Sequence, residues 1–345
     1  MKSFTEKNSD RHLLGDILPL KMPLGLCIEP TNICNFKCIQ CPVSLPHFRQ
    51  TVGELGHMDM ALYRKVLRDI AAMGKLKNLN LYGDGEPLAN PNIVEMIKTA
   101  RDMDVADLIT VTTNGSLLTE DLARDLLSSG LTYLRVSIYA LDDDELLRIT
   151  STNTKTSHIY DNLATFRAMR DKTGQQTPFL YVKMLDTYSD ANDRFKQLYQ
   201  PIADQTNIET PMNWNGYEGL DLISKVDSEG KTDQTKIQGF YEESGKSGVK
   251  RCCTTAFHSL NIKRNGDVTI CIVDWNKGTM VGNIEEESLS QIWYGQRLTD
   301  FRRMQIEDRR HENVSCKHCN YLFCNPDNID SLSQERYHEI LNFRG

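Results

Sequence analysis

The sequence predicts an α/β protein: a partial (β/α)6 barrel followed by a small C-terminal module built from a β-hairpin and a helix. Two patterns support this fold class. Short apolar segments alternate with amphipathic segments from Leu24 onward, and six of the ten cysteines lie between residues 252 and 324. Alternating strand and helix patterns are typical of parallel β/α units. The 345 residues also exceed one typical domain, which favours a large first unit with a smaller one appended.

The strand candidates are short and mostly apolar, and they lie at residues 24–29, 78–82, 108–113, 133–139, 179–185 and 208–212. Helical periodicity is found between them, at residues 59–73, 93–103, 120–129, 157–170 and 191–199. Six units make a three-quarter barrel rather than a closed one. We expect function at the carboxyl ends of the strands, as in parallel β/α barrels generally.

Domain boundaries follow from changes in composition. We predict an N-terminal extension at 1–23, the barrel at 24–215, a linker at 216–250, an auxiliary module at 251–325 and a C-terminal tail at 326–345. The linker is rich in Gly, Ser, Asp and Lys, with a short helix expected at 235–243. An Asn-Gly step at Asn265 and Gly266 predicts the hairpin turn of the auxiliary module.

Composition limits the possible partners. A formal net charge of −7 argues against nucleic acid as the main partner. No apolar segment has the length of a membrane helix, and the N-terminus lacks an export signal. We therefore expect a cytoplasmic protein with no membrane partner.

The first cysteine group places Cys34, Cys38 and Cys41 within eight positions, directly after the first strand. Three thiolates leave one iron of a cubane cluster without a protein ligand. The alternatives are a structural zinc site, which needs four protein ligands, and a disulfide, which an odd number of thiols and a reducing compartment disfavour.

This Cys-x3-Cys-x2-Cys loop resembles the defining loop of the radical S-adenosylmethionine (SAM) enzymes. The resemblance implies a 4Fe–4S cluster that binds SAM at its open iron and reduces it to a 5′-deoxyadenosyl radical. Further motifs match the family's SAM pocket. The matching residues are Gly83, Asp84, Gly85 and Glu86 after the second strand, Thr113 and Asn114 after the third, Ser137 on the fourth, and Arg148 beyond it. Asp84 stands where the family motif has a second glycine, and Gln40 stands where an aromatic residue usually lies near adenine.

Strand alternation predicts which side chains face the barrel interior. On the fourth strand Arg135 and Ser137 share a face opposite to the apolar set, and on the fifth strand Lys183 faces inward. A buried cation is costly without a partner, so Lys183 is expected to pair with SAM or to bind substrate. A polar rim at residues 213–215 suits a sugar-like ligand.

The second cysteine group is Cys253, Cys271, Cys316 and Cys319. It resembles the twitch domain, a shortened SPASM domain that carries one auxiliary 4Fe–4S cluster in radical SAM enzymes. Cys252 and Cys324 exceed a four-ligand site, and a zinc ribbon remains the alternative to a cluster.

The resemblance implies a radical SAM enzyme, and three readings of its reaction stay open. The first is a dehydrogenase of a sugar or cyclitol, similar to the twitch-domain alcohol dehydrogenases of aminocyclitol biosynthesis. In it Lys183 or Arg135 orients the hydroxyl, and a flavodoxin- or ferredoxin-type protein is the reductant. The second is an epimerase in which Cys252 or Cys324 returns a hydrogen atom. The third is a peptide-modifying enzyme, which the short N-terminus disfavours. A non-enzymatic carrier has no use for the SAM motifs.

Overall fold

A computed structural model describes residues 12–45, 48–211, 250–275, 277–319, 321–324 and 327–345. The strands are β1 (Gly25–Ile28), β2 (Leu76–Leu81), β3 (Ala106–Thr113), β4 (Tyr133–Ile138), β5 (Phe179–Leu185), β6 (Gln205–Glu209), β7 (Ser259–Ile262), β8 (Asp267–Thr269) and β9 (Met280–Asn283). The helices are α1 (Leu14–Ile17), α2 (Phe48–Val52), α3 (Met60–Met73), α4 (Ile93–Asp102), α5 (Glu120–Leu127), α6 (Asp143–Thr150), α7 (Thr156–Lys172), α8 (Ala191–Tyr199), α9 (Leu289–Trp293), α10 (Gln296–Ile306) and α11 (Gln334–Asn342). The predicted partial barrel is confirmed, because β1 to β6 are parallel neighbours in chain order.

The C-terminal module continues the sheet of the barrel. Strand β7 pairs in parallel with the open edge of β1, with Ile28 beside Ile262, and β8 and β9 follow antiparallel. The sequence predicted the hairpin but not this junction. An exposed edge of β1 would leave backbone donors and acceptors unpaired, and β7 satisfies them.

The two faces of the sheet differ as strand alternation predicted. Leu134, Val136 and Ile138 of β4 belong to the main apolar core under the helices. Arg135 and Ser137 on the same strand are half-buried on the inner face. The barrel therefore presents its polar side chains to the interior, where a ligand can reach them.

Helix starts are set by local capping. Asp59 accepts hydrogen bonds from the amides of Ala61 and Leu62, which begins α3 one residue after the predicted start. Asp142 caps α6 in the same way, and three acidic residues occupy its first turn. Helix α6 was not predicted from the sequence, although this capping pattern marks it.

The segment expected to be a C-terminal tail is helical and packs back on the N-terminal part. The amide of Leu14 donates to Asp327 at 3.2 Å, and Arg336 donates to the carbonyl of Leu18 at 2.5 Å. Strand β6 begins three residues before its predicted start, while residues 212–215 and the expected helix at 235–243 lie outside the described residues. No helix in the described ranges is long and apolar enough to span a membrane.

Candidate functional site

The first cysteine group forms one loop after β1, in which burial raises the pKa of all three thiols. Burial raises the pKa of Cys38 above that of an ordinary thiol, and the neighbouring Cys41 and Cys34 raise it further. Burial also raises the pKa of Cys34 to about 11 and that of Cys41 to about 12. Because thiolates in this loop need a compensating positive charge, the donor set fits an iron cluster, which supplies that charge.

Two contacts hold the cysteine loop over the barrel. The buried ring of Phe36 meets Tyr139 edge-on at 5.8 Å between ring centres. Asn35 accepts a hydrogen bond from the side chain of Asn114 at 2.9 Å and donates one to Ser116 at 2.8 Å. Asn35 therefore joins the loop to the end of β3. Sequence reasoning missed it, because only its place between two cysteines marked it.

Glu86 joins the turn after β2 to the end of β3. Its Oε1 accepts hydrogen bonds from the Thr113 hydroxyl at 2.6 Å and the Leu88 amide at 3.0 Å, and its Oε2 accepts one from the Asn114 amide at 2.7 Å. Burial raises the pKa of Glu86, and these three donors oppose that effect. Since a carboxylate oxygen accepts about two hydrogen bonds, Oε2 keeps capacity for a ligand's ammonium group.

The two glycines of this turn allow a close approach to the chain that leads into Cys34. A Cβ atom on Gly85 would lie 2.4 Å from the carbonyl oxygen of Thr31 and 2.6 Å from that of Ile33. A Cβ on Gly83 would lie 2.6 Å from Cγ of Glu29. Only glycine fits at either position, so the turn is held rigidly against the segment before the cysteine loop.

The side chain of Asp84, a residue predicted to bind the cofactor, contacts the C-terminal module. Its carboxylate lies 2.7 Å from the ammonium of Lys263 and accepts the indole N–H of Trp275 at 3.2 Å. Lys263 also lies 3.4 Å from Glu29. Burial raises the pKa of Glu29 to about 7, although Lys263 lowers it. No local sequence pattern connects these residues, which lie far apart in the chain.

A second charged group lies on the inner face at β4 to β6. The ammonium of Lys183 lies 2.6 Å from Glu209, and the guanidinium of Arg135 lies 3.6 Å from the same carboxylate. Arg135 also stacks over the ring of Tyr181 at 5.5 Å. Burial lowers the pKa of Lys183, Glu209 raises it and Arg135 lowers it again. Sequence reasoning missed Glu209, an acid on the inner face of the last strand.

The remaining residues predicted for the SAM pocket, Ser137 and Arg148, lie in different places. Ser137 stands beside Lys183 in the sheet register, so it lies next to this charged group. Arg148 does not join the other residues: it forms a two-pronged ion pair with Glu145 on α6, and its side chain is 55% exposed. The described structure brings Glu86, Thr113, Asn114 and Ser137 to the same end of the sheet and leaves Arg148 at the surface.

The second cysteine group encloses a cavity. Its lining includes all four thiols, Cys253, Cys271, Cys316 and Cys319. Burial raises the pKa of Cys316 to about 12, and the charges of Cys253 and Cys319 add to the shift. Arg310 donates to the carbonyls of Cys316 and Cys319 at 2.6 and 2.7 Å, which fixes the Cys-x2-Cys turn.

The four thiols line one cavity, which gives the number of ligands that an iron–sulfur cluster or a structural zinc ion requires. Among the described residues, no three His, Cys, Asp or Glu side chains come close enough together to hold one metal ion. Cys252 is buried in the main core and is not part of the cavity lining. The side chain of Cys324 lies outside the described part.

Comparison with known protein families gives two matches. Residues 28–191 match the family model described as the radical SAM superfamily. Residues 252–320 match SPASM, described as an iron–sulfur cluster-binding domain. The two matches contain the first and the second cysteine groups, respectively.

Several known proteins are similar in sequence to more than half of this chain. A SAM-dependent 2-deoxy-scyllo-inosamine dehydrogenase of Niallia circulans is 23% identical, over 91% of this chain and 96% of its own. A tungsten-containing aldehyde ferredoxin oxidoreductase cofactor-modifying protein of Pyrococcus furiosus is 24% identical, over 80% and 82%. A GTP 3',8-cyclase of Klebsiella pneumoniae is 33% identical, over 58% of each chain.

Solved structures share the fold at low sequence identity. BtrN in complex with AdoMet and 2-DOIA matches with a TM-score of 0.56 at 19% identity, covering 90% of this chain and 99% of BtrN. Streptococcus suis SuiB bound to S-adenosylmethionine matches with a TM-score of 0.61 at 15% identity, covering 90% of this chain and 73% of SuiB.

Proposed function

The chain belongs to the radical SAM superfamily and carries a C-terminal SPASM domain, and from this premise we propose that it oxidises one carbinol carbon of a small polyol to a ketone. The polyol is a sugar or an aminocyclitol. The observation that carries the proposal is the group formed by Arg135, Lys183 and Glu209 at the carboxyl ends of β4 to β6. The likeness to the 2-deoxy-scyllo-inosamine dehydrogenase over nearly all of both chains supports the same reaction class.

The proposed cofactor sites use the donor sets described above. When bound, SAM and its cluster supply a radical that removes a hydrogen atom, and an auxiliary cluster supplies an electron acceptor. Cys34, Cys38 and Cys41 hold the first cluster. Glu86 offers Oε2 to the amino group of SAM, and Ser137 lies at the same end of the barrel. Cys253, Cys271, Cys316 and Cys319 fill the coordination of the second cluster.

The charged group formed by Arg135, Lys183 and Glu209 on the inner face provides an acceptor for the hydroxyl proton of the substrate. Oxidation of a carbinol to a ketone removes one hydrogen atom, one proton and one electron from the substrate. Lys183 and Arg135 donate hydrogen bonds that orient the hydroxyl, and Glu209 receives its proton, directly or through Lys183. Burial lowers the pKa of Lys183, and its 2.6 Å contact with Glu209 provides a path for a proton between the two groups.

An epimerase would need a thiol to return hydrogen to the substrate, and the described thiols do not favour it. Cys252 lies in the apolar core, and its amide is bonded to Asp330. Cys27 faces the interior but is 5% exposed and donates to the carbonyl of Tyr82.

The test is incubation of the anaerobically reconstituted chain with SAM, dithionite and a panel of sugars and aminocyclitols in heavy water. The expected product is two mass units lighter than its substrate, with one 5′-deoxyadenosine formed per product. An epimer of unchanged connectivity that has gained one carbon-bound deuterium would overturn the dehydrogenase assignment in favour of the epimerase. Turnover only with a peptide would overturn the small-molecule assignment.

The proposal includes a reductant and a location. A flavodoxin- or ferredoxin-type protein would supply the electron that starts turnover. A cytoplasmic location agrees with the use of free thiols as cluster ligands, since thiols stay reduced there. Replacing dithionite by a flavodoxin reducing system tests the first point.

A further inference from the structure

A buried ion pair joins the SPASM domain to the radical SAM domain. Lys263, directly after β7, lies 2.7 Å from Asp84 and 3.4 Å from Glu29, and the three side chains are 15%, 5% and 4% exposed. Although burial opposes it, the two carboxylates raise the pKa of Lys263, so the lysine stays charged. Such a pair is strongly position-dependent, because moving one partner leaves a buried charge uncompensated.

The carboxylates that Lys263 contacts are the ones that hold the SAM-binding turn. Glu29 accepts the amide N–H of Asp84 at 3.0 Å. The neighbouring Gly85 has no free space, because backbone oxygens of residues 31 and 33 lie against it, and the amide of Glu86 donates to Ile33 at 2.9 Å. A displacement of Asp84 therefore moves the whole turn rather than one side chain.

A second contact reaches the same carboxylate from the auxiliary cysteine loop. Trp275 follows the auxiliary ligand Cys271 by four residues and donates its indole N–H to Asp84 at 3.2 Å. The Trp275 ring belongs to a small apolar cluster with Phe48 and Val273, against which Val43 packs. Val43 lies two residues after Cys41, so the apolar cluster that contains the Trp275 ring is in contact with the regions of both cysteine groups.

The position of Trp275 depends on the assembly of the auxiliary loop. Its neighbour Asp274 accepts hydrogen bonds from the hydroxyl of Ser315 at 2.5 Å and from the amide of Thr279 at 2.6 Å. Ser315 directly precedes the auxiliary ligand Cys316. The segments that carry Cys271 and Cys316 are thus joined beside the tryptophan.

We propose that Lys263 and Trp275 are positioning residues that couple assembly of the auxiliary cysteine site to SAM binding. Neither residue is assigned a contact with SAM in this proposal. Both act through Asp84, which stands at the position where the family motif has glycine and which carries the turn that ends in Glu86. A coupling between two sites is reciprocal, so SAM binding in turn stabilises the assembled auxiliary loop. The inference requires that the turn at residues 83–87 binds SAM and is independent of which substrate is oxidised.

The test measures the dissociation constant of SAM by anaerobic equilibrium dialysis on the reconstituted full chain, without substrate. Lys263→Met and Trp275→Phe are each expected to weaken SAM binding ~10-fold, within the usual range of coupling between sites. The electron paramagnetic resonance spectrum of the SAM cluster is expected to shift less on addition of SAM. Lys277→Met is the matched control, because Lys277 lines a cavity together with Asp84, Lys263 and Trp275 but pairs with Asp267 at 3.7 Å. It is expected to keep the wild-type SAM affinity.

A double-mutant cycle separates coupling from a local effect. Cys316→Ala, which removes an auxiliary ligand, is expected to weaken SAM binding in the wild-type background but to have little further effect in the Lys263→Met background. Equal effects in both backgrounds would overturn the proposed route through Lys263.

Two further variants guard against misfolding. Lys263→Arg keeps the charge and is expected to recover most of the SAM affinity. The double variant Asp84→Asn with Lys263→Met removes both buried charges of this pair, so we expect it to fold. It is expected to bind SAM ~10-fold more weakly than the wild type. The proposal would be refuted if a folded Lys263→Met variant had the SAM affinity and the spectrum of the wild type. If that variant does not fold, the same result in the double variant would refute the proposal.

Discussion

The ammonium of Lys183 lies 2.6 Å from the carboxylate of Glu209, and these two residues come from neighbouring strands of the barrel. The pair is half-buried on the inner face, beside the Arg135 guanidinium. A cation and an acid in contact within the interior provide a donor for a substrate hydroxyl and an acceptor for its proton. This relationship motivates the first prediction.

Glu209→Gln is expected to lower the rate of substrate oxidation ~100-fold or more, because general-base catalysis contributes about two to four powers of ten. SAM affinity measured without substrate is expected to stay unchanged, since Glu209 is assigned to the substrate. Product formation and 5′-deoxyadenosine formation are measured together by liquid chromatography. Lys196→Met, a change at an exposed lysine on α8, is the control. A Glu209→Gln variant that keeps wild-type activity would contradict the assignment of Glu209 as the acceptor of the substrate's hydroxyl proton.

Simultaneous replacement of Cys34, Cys38 and Cys41 by Ala is expected to remove one of two clusters. Iron content should fall from about eight to about four atoms per chain, and SAM cleavage should cease. Replacement of Cys316 and Cys319 should also remove about four irons while leaving the cluster at the first group. Iron and sulfide analysis after anaerobic reconstitution makes the measurement. Zinc in stoichiometric amount at either site would contradict the assignment.

Glu86→Gln is expected to weaken SAM binding ~10-fold, because charge-assisted hydrogen bonds contribute roughly 1.5–3 kcal/mol. The amide also cannot accept at both ends, so the hydrogen bond from the backbone N–H of either Leu88 or Asn114 is lost. Ser137→Ala should weaken SAM binding less. Glu145→Gln serves as the control, because this carboxylate pairs with Arg148 at the surface. Unchanged affinity in both site variants would show that SAM binds elsewhere.

Asp204→Ala is expected to destabilise the fold by about 3 kcal/mol, because the buried guanidinium of Arg170 loses its nearest carboxylate and keeps only the more exposed Asp171, at 3.2 Å. Arg170 is 3% exposed at its side chain, and Asp204 also accepts the amide of Leu180 at 2.7 Å. Chemical denaturation measures the change. Arg124→Ala, which breaks an exposed pair with Asp121, should change stability by less than about 1 kcal/mol. If Asp204→Ala lowered the free energy of unfolding by as little as Arg124→Ala, the assigned role of the buried pair would be contradicted.

The fold followed from the sequence because strands and helices have local signatures. Residues 179–185 and 191–199 were predicted with the bounds that the structure has, since apolar alternation and helical periodicity are read within one segment. The pairing of β7 with β1 was not predicted. Those strands are more than 200 residues apart in the chain, and no local pattern specifies which edge a hairpin will meet.

In the candidate site, too, some residues could be predicted from the sequence and others could not. Both cysteine groups and the turn at Glu86 were identified because their chemistry depends on residue type and short spacing. Glu209 was missed because an acid at a strand end becomes informative only when Lys183 faces it from the neighbouring strand. Arg148 was expected near SAM from the resemblance to the family, but the capped helix α6 directs it to Glu145 and solvent.

The sequence by itself determined the candidate chemistry: which thiols are expected to hold clusters, which turn is expected to bind SAM, and which strand faces carry charge. Each of these depends on residues that are close in the chain, where covalent geometry sets the spacing. Only the tertiary structure decided the partners, including Glu209 for Lys183 and Lys263 for Asp84. A charge buried in a low-dielectric interior requires an opposite charge nearby, but any acid or base that folding brings close can meet that requirement.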